Sequence, residues 1–306
     1  MSFALECKKE LMTIKRNTLE NKALILGMLV SGAKMTEDEF IFSSTNLAIS
    51  EYLIFLLERV YKYSASVDES DIQSQSFLHK YDVNCQGAFN IIEELELNKF
   101  GDFKKQIKDS QTLTSAYLAG AFLARGSVND PETTKYHFEI TLDDAKNAMF
   151  IQQIMNLHNL NSKIIKRRNK LVVYIKDAEK IVDILRLMGA NKNCFHYEDV
   201  RIERDFNNSI NRIINCEVAN EQKTLSAANE QLKYIKYLEY NYPLEKLDPK
   251  ILTVMKVRQD NPEASLVELI EILDTEYGQH ISKPGLSHRF AKIKEIATEH
   301  MRNRGN

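Results

Sequence analysis

The spacing of apolar residues near the C-terminus predicts an amphipathic helix. Leu266, Leu269, Ile270 and Leu273 recur at i, i+3, i+4 and i+7, so their side chains share one helical face. A short break containing Gly278 follows this segment. The pattern therefore predicts that one helix ends there and that another begins just beyond it.

The second helix is predicted to begin after Ser282, which can cap it, with Pro284 in the first turn, where a missing N–H is tolerated. Its apolar stripe consists of Leu286, Phe290, Ile293 and Ala297. Its free side is expected to carry Lys283, Ser287, His288, Arg289 and Lys292. Two helices joined by a short turn, the second of them basic, predict a helix-turn-helix that binds DNA.

Charge supports this interpretation only locally. From His280 to the end of the chain there are six Lys or Arg residues, including Lys294, against two acids. The whole chain has 41 basic and 43 acidic residues, so any attraction for phosphate must come from patches. An ordinary three-helix bundle with solvated charges is the alternative, and the basic outer face is what distinguishes the two.

Composition is that of an ordinary soluble protein long enough for two domains: 306 residues, 43% hydrophobic and 27% charged. No apolar run approaches the roughly 18 to 20 residues of a membrane span, and the first residues lack a signal-peptide core. We therefore expect a cytoplasmic protein without membrane contact, and DNA binding would make it nucleoid-associated. The four cysteines are far apart, without CxxC, so we expect no zinc site, disulfide framework, metal or other cofactor.

The N-terminal part alternates helices and strands. Helices are predicted over Leu5–Lys15, over Leu24–Ser31 and after Asn46, with a strand over Glu39–Thr45 between the last two. Two strand-like stretches lie between Ser64 and Cys85, before a helix over Ala88–Leu97.

The stretch from Leu113 to Ala190 repeats that order. The predicted elements are a helix over Leu113–Arg125, a strand over Tyr136–Thr141, a helix over Ala145–Leu157, a hairpin over Ser162–Ile175 and a helix over Ala178–Met188. In this alignment Gly32 corresponds to Gly126, an offset of 94 residues. Two such halves, about 22–105 and 113–190, predict one pseudo-symmetric α+β domain whose sheets form a saddle.

The hairpin of the second half is strongly basic. Between Asn159 and Lys176 there are six basic residues, Arg167, Arg168 and Lys170 among them, and no acid. These side chains could bind phosphate, but solubility and protection of a sheet edge produce the same composition. Both interpretations remain open.

The sequence LAGAFLARG (Leu118–Gly126) resembles the LAGLIDADG helix of homing endonucleases, in which two helices pack through glycines and each presents a metal-binding acid. Gly120 and Gly126 match this motif. The acid position is Arg125 here, and Ser31 precedes Gly32 in the first half. Neither can replace a carboxylate ligand of magnesium, so the resemblance implies a retained scaffold that has lost its chemistry.

Longer stretches are similar to the WhiA regulators of sporulation and cell division, which join a degenerate LAGLIDADG domain to a C-terminal helix-turn-helix. They are Ala116–Ile140, Asn215–Gln231 and the C-terminal helix pair. Pro284 departs from the small polar residue expected at its position. The resemblance implies three regions: a LAGLIDADG-like domain over 1–205, a helical linker over 206–245 and an all-α helix-turn-helix domain over 246–306.

The segment that resembles the linker carries a broken apolar stripe from Ile210 to Ile235, interrupted by polar residues such as Asn215. It is either a helix that docks on its own domain or a segment in which Asn220 and Lys223 contact DNA or set the angle between domains. Pro243 and Pro249 mark a hinge before the last domain.

We expect a non-enzymatic, sequence-specific regulator of cell division and chromosome segregation that binds double-stranded DNA. Another transcription regulator or RNA polymerase is a further candidate partner. Two alternatives remain: a residual nuclease that uses Glu139, Asp143 and Asp144, and a scaffold whose saddle binds a protein or another nucleic acid.

Overall fold

The computed structural model describes residues 2–71, 79–97, 101–133 and 135–304. The chain forms two compact units, Met1–Asp205 and Phe206–Asn306. The second of the two strand-like stretches predicted between Ser64 and Cys85 begins outside the described residues.

The elements of the first unit follow the predicted order. They are α1 (Phe3–Thr13), α2 (Thr18–Gly32), β1 (Ala33–Met35), β2 (Phe40–Ser44), α3 (Leu47–Tyr61), β3 (Ser66–Asp71), β4 (His79–Cys85), α4 (Phe89–Glu94), α5 (Asp102–Asp109), α6 (Gln111–Arg125), β5 (Gly126–Val128), β6 (Phe138–Leu142), α7 (Ala145–Leu157), β7 (Lys163–Arg167), β8 (Lys170–Ile175) and α8 (Ala178–Met188). Helix α9 (Asn191–Asn241) contains the division between the units.

Two four-stranded antiparallel sheets have the same topology, β1-β2-β4-β3 and β5-β6-β8-β7. Phe42 lies opposite Val83 in the first sheet, and Ile140 lies opposite Val173 in the second. The shared strand order confirms the predicted pseudo-symmetric α+β fold. Sequence patterns missed β1 and β5, which have only three residues each, and they also missed α5.

Each sheet buries one face. Phe40 and Phe42 of β2 and Phe138 and Ile140 of β6 are fully buried, whereas Ile41, between the two phenylalanines, is exposed. Because side chains alternate along a strand, the buried positions pack against the helices and leave the other face open. The core of the first unit therefore lies on the helical side of both sheets.

Helices α2 and α6 form the centre of the first unit and approach each other through glycine. A methyl group on Gly27 would overlap the carbonyl oxygen of Tyr117, and one on Gly120 would overlap the carbonyl oxygen of Leu24. Only glycine lets two helix backbones come this close. The capping box of Asn17 begins α2, which is 15 residues long, as is α6.

This packing corrects the offset between the repeats. Gly27 and Gly120 make reciprocal contacts and are 93 residues apart, and α2 and α6 begin and end 93 residues apart. Gly32 therefore corresponds to Arg125, and Ala33 to Gly126. The offset of 94 was wrong because the sequence comparison matched the two glycines by type, whereas the helix interface sets the register.

The second unit is helical. After the last turns of α9 come a 3-10 turn (Leu244–Lys246), α10 (Pro249–Asp260), α11 (Leu266–Tyr277) and α12 (Lys283–Arg304). Ser265 and Glu268 form a capping box at the start of α11, and Gly278 ends it in the left-handed conformation, with φ of 62°. The amide of Gly285 donates to Ser282 Oγ at 3.3 Å, which confirms Ser282 as the cap of α12.

Helix α9 supplies part of the core of this unit. Ile235 and Leu238 are fully buried together with Leu273 and Leu286. The earlier part of the predicted stripe differs: its apolar side chains are exposed, namely Ile210, Ile213, Ile214 and Val218. Within the predicted stripe, only the part towards the C-terminal end of α9 therefore packs against a core.

Candidate nucleic-acid interface

Helix α12 presents a polar face next to a buried one. Leu286, Phe290 and Ile293 are buried against the rest of the second unit. The exposed side chains are Lys283, Ser287, His288 and Lys292. These residues occupy the first three turns of a helix that follows a short turn, as they do in a helix that reads a DNA groove.

Two of the predicted DNA-binding residues lie at the margins of this face. Arg289 is half-buried and donates through an Nη atom to Gln279 Oε1 at 2.9 Å. Lys294 forms an ion pair of 2.7 Å with Glu230 of α9 and lies 5.6 Å from the ring centroid of Tyr234. Both side chains therefore have contacts within the unit.

A cleft beside the start of α12 brings Lys223 and Lys283 together. It has a volume of about 230 Å³ and is also lined by Arg258, Thr224 and Ser265. No acidic residue lines it. Since the lysines lie 60 positions apart in sequence, only the fold reveals that they share a cleft.

Arg258 is the residue of this cleft that sequence patterns missed. It is only 1% exposed, and its Nε donates to Gln231 Oε1 at 2.9 Å, while an Nη atom donates to the carbonyl oxygen of Ala264 at 2.6 Å. Its Cζ lies 5.4 Å from the ring centroid of Phe290. These partners are all uncharged, and burial lowers the pKa of the guanidinium. A buried cation with no carboxylate partner among the described residues favours an anion in the cleft.

The polar residues of the linker-like segment are exposed on α9. Asn215 and Lys223 point to solvent, and Asn220 Nδ2 lies 3.7 Å from Cys216 Sγ. They therefore do not need buried hydrogen-bond partners. Of the three, only Lys223 lines the cleft with Lys283.

The basic hairpin lies at the edge of the second sheet. Arg167 lies opposite Lys170 in the register of β7 and β8, and Arg168, with φ of 55°, forms the turn. An Nη atom of Arg167 lies 3.6 Å from Glu139 Oε2, and Lys170 forms an ion pair with Asp143. Two of the three predicted phosphate-binding cations are thus partly neutralised.

The ends of α2 and α6 lack carboxylates at the motif's acid position. Gly32 occupies it in the first half, and Arg125, which is exposed, occupies it in the second. Ser31, which the sequence comparison placed there, is instead buried, and its Oγ has no hydrogen-bond partner among the described residues. A methyl group on Gly32 would press against the ring of Phe42, so a side chain at this position would have to displace that ring.

The acids considered for a residual nuclease are engaged elsewhere. Glu139 and Asp143 contact Arg167 and Lys170, and Asp144 caps α7 by accepting from the amide of Asn147 at 2.9 Å. Within the described residues, no three His, Cys, Asp or Glu side chains are arranged to hold a metal ion. A separate observation concerns membranes: among the described residues, no helix has the length and apolar character needed to span one.

Comparison with known proteins identifies both parts of the chain. Residues 114–207 match the model of the WhiA LAGLIDADG-like domain, and residues 210–297 match that of the WhiA C-terminal HTH domain. The fold and these matches define a protein with a LAGLIDADG-like domain followed by a helix-turn-helix.

The chain belongs to the WhiA family. It is 35% identical over 309 aligned residues to the probable cell division protein WhiA of Staphylococcus aureus strain NCTC 8325, with 97% of this chain and 96% of the relative covered. Relatives from the strains Newman and COL show the same identity and coverage. These values confirm the family resemblance found in the sequence.

Solved structures agree at the level of the fold. The crystal structure of full-length DUF199/WhiA from Thermatoga maritima matches with a TM-score of 0.61 and 23% identity, covering 98% of each chain. The isolated N-terminal LAGLIDADG domain of DUF199/WhiA matches with a TM-score of 0.52 and 21% identity, covering 61% of this chain and 90% of that one.

Proposed function

We propose that this protein is a non-enzymatic, sequence-specific regulator that binds double-stranded DNA through α12 and the cleft beside it. The observation that carries the proposal is the exposed polar start of α12, next to a cleft that holds three cations and no acid. Ser287 and His288 would reach base edges, while Lys283 and Lys223 would contact backbone phosphates. The charge of the buried Arg258 side chain would keep the inner surface of the cleft positive.

The proposed division of labour follows three regions of the chain. Residues 246–306 form the DNA-binding domain, residues 206–245 form a helical linker that contributes Lys223, and residues 1–205 form the LAGLIDADG-like domain. Arg167, Arg168 and Lys170 add a weaker phosphate contact, since two of them have acidic partners. Arg289 supports the turn before α12 and also adds positive charge near phosphate.

A non-enzymatic role is supported by the ends of the two central helices. Magnesium-dependent hydrolysis of a phosphodiester uses hard carboxylate ligands. Gly32 and Arg125 provide no carboxylate, and the nearby acids have other partners. The names of the relatives favour a role in cell division, to which we add chromosome segregation, a nucleoid-associated cytoplasmic location, and RNA polymerase or a second regulator as partners.

The test is selection of duplexes from a random library by the full chain, followed by anisotropy on selected and scrambled duplexes. The Ser287→Ala and His288→Ala variants are expected to lose discrimination between the two duplexes, by about tenfold or more. Lys236→Gln, which changes an exposed lysine elsewhere on α9, is the control. Equal affinity of the full chain for selected and scrambled duplexes would contradict sequence-specific binding.

A further inference from the structure

A cleft in the first unit lies at the C-terminal end of α6, where the LAGLIDADG motif has its second acid. It has a volume of about 310 Å³ and is formed by the starts of α1 and α3, the end of α6 and the start of β5. Lys8 and Arg125 line it, together with the polar side chains of Ser2, Asn46 and Ser127. No Asp or Glu lines it.

The two cations of this cleft have no carboxylate partner among the described residues. Lys8 is half-buried, and its Nζ lies 5.5 Å from the ring centroid of Phe122. Burial, and then the neighbouring charge of Arg125, lower the pKa of Lys8 to about 8. Two like charges held together at a partly desolvated site repel each other, and a bound anion would relieve that repulsion.

The backbone adds positive potential to the same place. Both α1 and α3 begin at the cleft, with Ser2 and Asn46 as their N-caps. The Asn46 side chain accepts from the amide of Ala48, whereas Ser2 makes no side-chain cap bond. The starts of two helices and two side-chain cations therefore converge on one cavity.

We infer that this cleft is a phosphate-binding site, with Arg125 and Lys8 as its cationic ligands and Ser2, Asn46 and Ser127 as polar neighbours. A pair of carboxylates would bind a phosphate group only through a metal ion. This cleft is positively charged, so its side chains can bind the phosphate group directly. Its volume is at the lower end for small-molecule sites, which suits a phosphate with a small substituent or one phosphate of a DNA backbone. The site is separate from the proposed interface on α12.

The test is isothermal titration of the full chain with inorganic phosphate and with adenosine monophosphate, at constant ionic strength adjusted with chloride. We expect saturable binding of phosphate that depends on Arg125 and Lys8. Arg125→Gln and Lys8→Gln are expected to weaken it about tenfold or more, because each removes a charge-assisted contact. Arg125→Lys should retain part of the affinity. Lys146→Gln, an exposed lysine of α7 outside the cleft, is the control and should leave binding unchanged.

Competition with duplex DNA identifies the source of the phosphate. If the site holds a backbone phosphate, duplex DNA displaces inorganic phosphate, and Arg125→Gln weakens DNA binding. If it holds a small phosphorylated molecule, adenosine monophosphate binds more tightly than phosphate and DNA displaces neither. Both results support the site.

The proposed phosphate site would be ruled out if phosphate gave heat signals no larger than those of chloride. It would also be ruled out if Arg125→Gln and Lys146→Gln bound phosphate with equal affinity. Arg125 is exposed, so its variant remains informative even if Lys8→Gln fails to fold. Loss of this site would leave the proposed role of α12 untouched.

Discussion

Gly27 and Gly120 occupy equivalent positions in a reciprocal helix contact. The position of a Cβ atom on Gly27 lies 3.0 Å from the amide nitrogen of Ala121, and that of one on Gly120 lies 3.0 Å from the amide nitrogen of Met28. This symmetry fixes the register of the two repeats. It therefore also decides which residues stand at the acid positions of the LAGLIDADG motif.

Replacing either glycine should destabilise the first unit. Gly27→Ala and Gly120→Ala force backbone atoms apart, and we expect the free energy of unfolding to fall by about 3 kcal/mol or more. Ser31→Ala on the same helix is the contrasting variant, because it removes a buried hydroxyl without a partner among the described residues and should raise stability by about 1 kcal/mol. Urea denaturation measures both. Similar stability of the Gly27 and Ser31 variants would contradict the close contact.

The contribution of α9 to the second unit can be tested with two isoleucines. Ile235 is fully buried, and Ile213 is 60% exposed. Ile235→Ala should lower the free energy of unfolding by about 3 kcal/mol, and Ile213→Ala should change it by less than about 0.5 kcal/mol. Urea denaturation of residues 206–306 is the measurement. Equal losses would mean that the two faces of α9 are not distinguished by packing.

Sequence patterns predicted most of this architecture because apolar periodicity follows burial. Helices α7 and α8 have the bounds that the pattern indicates, and the cap residues Asn46 and Ser282 act as predicted. The three-residue strands β1 and β5 were missed, since so short a segment shows no alternation.

The candidate site was less accessible to sequence reasoning than the fold. The polar start of α12 follows from helical spacing, but its cleft joins Lys223, Arg258 and Lys283 from three separate helices. Arg258 lies in the last turn of α10, a usual position for an exposed basic residue, so nothing in the sequence marks it as buried. The neighbours of Arg258 can be identified only in the packed structure. The same is true of the equivalence between Gly32 and Arg125, which the helix interface establishes.

Nuclease activity should be absent. Supercoiled plasmid incubated with the full chain and either magnesium or manganese is expected to stay uncut, because Gly32 and Arg125 supply no carboxylate. Gel electrophoresis over several hours is the measurement. Nicking that requires the metal and disappears in Asp143→Asn, while a Lys146→Gln control still cuts, would overturn the non-enzymatic role.

The pH dependence of phosphate binding tests Lys8. The side chain of Lys8 faces Arg125 from α6 and the Phe122 ring, and no acid or histidine lines the cleft. With a pKa of about 8, Lys8 is charged below that pH and loses its charge above it. Affinity for phosphate should therefore fall as the pH rises from about 7 to about 9.

The ionisation of phosphate itself changes over the same range, so the informative quantity is the ratio of the affinity of the unaltered chain to that of Lys8→Gln. We expect this ratio to decrease with rising pH. A constant ratio in calorimetric titrations would show that Lys8 does not contribute its charge to the site.

The most direct test of the DNA-binding account is the salt dependence of duplex binding, measured by fluorescence anisotropy on the full chain. Lys283→Gln and Lys223→Gln should each weaken binding and reduce the slope of log K against log salt by about 0.9, as expected for one lost phosphate contact. The exposed Lys236→Gln on α9 should leave affinity and slope unchanged. If all three variants bind with the same affinity and slope as the unaltered chain, the cleft and the start of α12 do not contact DNA.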